Sequence, residues 1–147
     1  MIKSIDLNDL QTGDIILVSD YKPGLFGVFL SMIRYGTHSE YVHSGIVIKD
    51  PTFLEKPLQG TYIWESSYEG IPDPQDGKIK LGVQLTALQT LKDNYTDALF
   101  YVRRLEDNSI FTDKVLKQIH EKVYNVPYDI NPLDWILAFF KKDINPQ

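Results

Sequence analysis

The sequence contains no cysteine. That excludes disulfide bridges, thiolate metal sites and thiol catalysis by any residue it carries. Positive charge is also scarce: 15 Lys and Arg stand against 20 Asp and Glu, a formal net charge of −5, and no Lys/Arg-rich run occurs. Non-specific nucleic-acid binding works by displacing counterions with clustered cations, so no nucleic-acid partner is expected. The same shortage argues against a polybasic membrane anchor. No apolar run reaches the roughly 18 residues of a membrane-spanning helix, so no transmembrane segment is expected. The opening stretch, MIKSIDLNDL, lacks the apolar core of a signal peptide. The chain reads as soluble, intracellular and cytoplasmic.

What is present suits one globular domain spanning residues 1–147. Apolar residues make up 43% of the chain and aromatic residues 12%, enough for a core at this length and too much for disorder. Short β-branched and aromatic runs bounded by Gly, Pro and Asp predict strands over 14–19, 42–48, 61–66, 82–85 and 98–105. Helices are expected over 25–36, closed by Gly36, and over 86–92. A third is expected over 107–126, where apolar residues recur at 115, 116, 119 and 123, with Asn108 or Ser109 as the cap. A fourth starts near Pro132. The fold class is α+β: an antiparallel core sheet of about five strands with flanking helices, since the loop after the second strand looks too irregular for a crossover helix.

One stretch asks for more than packing. YVHSGIVI, 41–48, opens a core strand with an imidazole. Pairing 42–48 with 61–66 about a loop centred near residue 54 places His43 opposite Glu65, Gly45 opposite Ile63 and Val47 opposite Thr61. Directly paired side chains have Cβ atoms about 4.5–5.5 Å apart, within reach of a hydrogen bond. A carboxylate on one ring nitrogen fixes the tautomer and leaves the other nitrogen as a base, which is the base–orienter half of a nucleophilic triad. The alternative reading is that His43 and Glu65 form a purely structural hydrogen bond at the sheet edge. Gly45 is expected to leave open space over the strand.

Other candidates are weaker. His38, Glu40 and His43 cluster nitrogen and oxygen donors, but their spacing matches no helix-face ligand pattern, so neither metal nor cofactor is expected. Ser44 and Ser66 should point to the face away from His43 and Glu65, and Ser67 lies at a loop, so no serine nucleophile is assigned. Arg103 and Arg104 should face opposite sides, one of them in a surface salt bridge or on an anionic group. Asp14 and Asp129 read as backbone caps. His120 reads as solvated. The apolar segment 24–36 reads as a core helix or as a groove for an acyl chain or peptide.

Four segments in this order, LQTGDIILV (10–18), YVHSGIVI (41–48), YIWESSYEGI (62–71) and VPYDINPLDW (126–135), give the chain a wider likeness. It resembles the circularly permuted NlpC-type branch of the papain-like superfamily, which includes YiiX-like bacterial proteins and poxvirus relatives. The resemblance covers nearly the whole chain. It implies a permuted papain-like fold and a cysteine amidase or peptidase acting on peptide, amide or lipid-acyl substrates. His43 matches the family base and Glu65 its polar orienter. In that branch the nucleophilic Cys follows the Tyr-Asp turn, at a helix N-terminus where the dipole favours thiolate. This sequence has no counterpart to it and ends at KKDINPQ. Two expectations follow: a truncated cysteine hydrolase, or a catalytically inactive peptide- or lipid-binding module of the same fold.

Overall fold

The computed structural model describes residues 9–20, 31, 34–35 and 38–127. Among the described residues five strands form: β1 (Ile15–Ser19), β2 (His43–Lys49), β3 (Thr61–Ser67), β4 (Gly82–Ala87) and β5 (Leu99–Arg103). Helix α1 (Leu88–Asn94) follows β4, and α2 (Asp113–Val123) follows β5. The sheet order is β4-β3-β2-β1-β5, with every neighbouring pair antiparallel. The class is α+β. Each strand lies within two residues of its expected bounds at either end. The expected helix from Pro132 lies outside the described residues, as does most of the one over 25–36.

Strand residues alternate between two faces, and each face is covered by a different helix. On one, Ile16 and Val18 of β1, Val47 of β2 and Ile63 of β3 pack with Leu10 and with Leu91 of α1. The chain crosses this face as it passes from β4 at one edge to β5 at the other. On the second face, Ile48, Trp64 and Leu85 pack with Leu116 of α2 and with Phe53 and Leu54 from the loop after β2. Each such side chain taken fully out of water contributes about 1.5–3 kcal/mol.

Helix α2 is shorter than the expected 107–126. Neither Asn108 nor Ser109 caps it. Residues 107–111 form turns instead, with the Ser109 N–H donating to Asp107 Oδ1 (2.9 Å) and the Phe111 N–H to the Asn108 carbonyl (3.0 Å). Such local bonds compete with the helix. Thr112 is the cap, its side chain accepting from the Val115 N–H at 3.4 Å. Thr112→Ala should cost about 0.5–1 kcal/mol, read as a lower urea midpoint at unchanged slope. The helix ends at Val123 rather than at Pro127, and Asn125 adopts a left-handed conformation (φ 59°).

Two polar clusters tie loops to this frame. Buried Asp14 accepts from the Gln11 N–H (2.9 Å) and pairs with Arg104 (3.0 Å), so Asp14 does cap backbone and Arg104 does form the surface bridge. In the loop after β3, buried Asp73 accepts from Lys80 (2.7 Å) and from the Gln75 N–H (2.9 Å). Gln75 in turn bonds His120, which is not solvated as expected but packs against Phe53, Trp64 and Tyr124. Burial is the main cause that lowers its pKa. Among the described residues, no helix is long and apolar enough to cross a membrane.

Candidate functional site

The site assembles on the α1 face, at the end of the sheet where β2 begins. The observed register pairs Ile46 with Trp64, Val47 with Ile63, Ile48 with Tyr62 and Lys49 with Thr61. This is two residues from the expected pairing, in which Val47 faced Thr61. A one-residue slip moves every side chain to the other face, whereas a two-residue slip keeps the face and changes only the neighbour. His43 and Glu65 therefore remain on one face, as diagonal neighbours rather than as a direct pair.

Gly45 is what allows the diagonal. A Cβ built on it would collide with Ile63 Cγ2 and lie 3.3 Å from Glu65 Cβ. The space over Gly45 is thus filled rather than open, as the sequence suggested, and the atoms that fill it come from β3. With no side chain in the way, the Glu65 carboxylate lies across β2 and accepts from His43 Nε2 through Oε2. Its other oxygen, Oε1, accepts from the hydroxyl of Thr86 on β4. Glu65 is 5% exposed and Thr86 1%, so the bond between them is shielded from water, while His43 is half-buried. The ring of Tyr95, just past α1, lies parallel to the imidazole, with centroids 6.2 Å apart and planes 5° apart.

An ionised carboxylate only accepts hydrogen bonds. The neutral His43 ring therefore carries its proton on Nε2 and its lone pair on Nδ1. Burial works to lower the His43 pKa, but the hydrogen bond and charge of Glu65 and the charge of Glu69 outweigh it, and the net shift is upward. Tyr95 is pushed well above the usual phenol range, first by burial and then by the charges of Glu69, Glu65 and Asp20. It is a neutral phenol at physiological pH.

The ligand atoms of His43, Glu65 and Glu69 lie within 4.8 Å of one another, close enough to share a cation. His38 and Glu40, weighed from sequence as partners of His43, are not in that cluster. A metal on Nε2 would take the place of the His43–Glu65 bond, since both Glu65 oxygens and Nε2 are already engaged. Ser44 and Ser66 are exposed and, by strand alternation, lie on the opposite face. Ser67 accepts from Gln84 Nε2 at 2.8 Å. A groove of about 610 Å³ is lined mostly from that opposite face, by Ile46, Trp64 and Ile119 among others, and His43, Gly45 and Glu65 also border it.

Sequence reasoning missed Thr86, Tyr95 and Glu69. Thr86 was legible in principle, because carrying the alternation of β3 into a β3–β4 hairpin places it on the face of Glu65. Tyr95 and Glu69 lie beyond the ends of strands, where alternation says nothing. No protein-family model matches this chain, and no curated protein sequence matches it.

Proposed function

We propose that this chain carries the base and orienter of a cysteine amidase or peptidase on a permuted papain-like fold. The observation that carries the reading is the buried Glu65 carboxylate on His43 Nε2, which turns the lone pair of the ring to Nδ1. A thiol brought to Nδ1 would give its proton to the ring, and the thiolate would attack the carbonyl carbon of an amide or ester. The imidazolium would return that proton to the leaving amine or alcohol. The acyl thioester would then pass to water or to another acceptor. The thiol is not among these 147 residues, and the reading requires it from outside them.

The missing cysteine favours a second reading, a catalytically inactive module that holds a peptide or lipid-acyl ligand on the same fold. One experiment separates them: intact mass of the natural gene product before and after a thiol-alkylating probe. The hydrolase reading expects a mass above that of this chain and one fast-labelling thiol. His43→Ala should slow that labelling about a hundredfold, the low end of what a positioned base contributes. A product that takes up no label sinks the hydrolase and leaves the binding module.

A further inference from the structure

We infer that Thr86 is a positioning residue that acts on His43 through Glu65. The inference rests on the reading of His43 as a base. Glu65 sits on β3 between two flanking strands, and both of its bonds are diagonal. One oxygen reaches back to His43 on β2, and the other accepts from Thr86 on β4. Thr86 pairs directly with Ile63, and Gln84 with Glu65, so Thr86 stands one same-face position along from the carboxylate. The terminal torsion of a glutamate is broad and roughly two-fold, so a single bond to His43 would not hold the carboxylate plane. A second bond from a neighbouring strand does. Thr86 suits this task because its branched side chain is stiff at χ1 and it is 1% exposed. The hydroxyl is thereby aimed by the sheet itself, and with it the tautomer of His43.

The sequence from β4 into α1 supplies both restraints on the imidazole. Thr86 holds its partner, and Tyr95 lies against its ring. Among the described residues, the other charged group that acts on the ring is Glu69, which the substitutions below leave in place.

The test reads the ring nitrogens of His43 by NMR across pH in the native sequence, Thr86→Val and Thr86→Ser. The chain has three histidines, so His43→Gln assigns the signal. The native protein and Thr86→Ser should show a neutral ring protonated at Nε2 and a raised titration midpoint. Thr86→Val, which keeps the shape and loses the hydroxyl, should show a mixture of tautomers and a lower midpoint. A folded Thr86→Val with tautomer and midpoint unchanged overturns the proposal, and so does failure of serine to restore them. If the valine variant does not fold, the native protein still decides. Its Thr86 hydroxyl proton should exchange slowly and shift as His43 titrates, and a fast-exchanging or indifferent hydroxyl overturns the proposal. These readouts do not depend on a thiol, so they stand apart from the alkylation result.

Discussion

Valine at position 45 should destabilise the fold by about 3 kcal/mol, the upper part of the usual cost of overpacking a filled core. Gly45 is buried, and the first atom a Cβ would meet is Ile63 Cγ2, itself at the centre of the α1-face core. The Trp64 carbonyl lies 3.2 Å from the same point, so the backbone of β3 blocks a sideways escape. The strain has to be relieved by moving β3 away from β2, which carries Glu65 away from His43. Urea denaturation with an unchanged slope would measure the loss. The mechanism makes a sharper statement through a double-mutant cycle. Ile63→Ala alone should cost about 2–5 kcal/mol by opening a cavity. Combined with Gly45→Ala it should cost less than the sum of the two single changes, because the new methyl enters the space that Ile63 vacates. Strict additivity would show that Gly45 is not there to make room for β3.

Replacing Glu65 by glutamine should reverse the sign of one pH dependence. In the native protein the His43 pKa is raised in the folded state. Its contribution to stability is therefore fully present below the unfolded value of about 6.5 and is lost as pH rises through the folded pKa. Glutamine keeps the shape and removes the Glu65 charge, leaving Glu69 as the charge set against burial. Burial, the largest single influence on this ring, then dominates and lowers the folded pKa. The variant should lose stability as pH falls through about 6.5, where the unfolded chain takes up a proton that the folded one refuses. Across about pH 5 to 9 the native protein's advantage over the variant in urea midpoint should shrink as pH rises, His120 acting equally on both, and parallel curves would sink the account. Glu65→Ala should be worse at every pH. It leaves the His43 Nε2–H and the Thr86 hydroxyl without their shared acceptor in a buried place, a loss of about 1–3 kcal/mol for each group stranded.

The contact between His43 and Glu65 survived an error in register, and the reason is instructive. The loop after β2 was read as centred near residue 54, but the observed pairing places the turn about one residue later. Side-chain direction in a strand has a period of two, so an even slip leaves each residue on its own face. The face was legible from the strand pattern alone. The neighbour was not, since loop conformation sets it. Here Asp50 contributes by taking a left-handed φ of 44° and accepting from the Gly60 N–H through Oδ1 at 2.7 Å. Helix α2 failed differently. Its expected range reached back into a segment whose Asp107, Asn108 and Ser109 are all turn formers, and periodicity cannot tell which of several capping residues wins. His120 failed because Phe53, Trp64 and Gln75, which enclose it, all come from segments distant in sequence, to which helix periodicity is blind.

The sequence by itself determined five strands, the α+β class, the common face of His43 and Glu65, and the absence of a thiol. These follow from local pattern and composition, which act over a few residues. Only the tertiary structure decided that Thr86, Tyr95 and Glu69 surround that pair, that Gly45 is a passage for a side chain rather than an empty space, and that Glu65 spans two strands with its two oxygens. Each of these depends on which strand lies beside which and at what offset, and that choice is made by burial of both faces of the sheet at once.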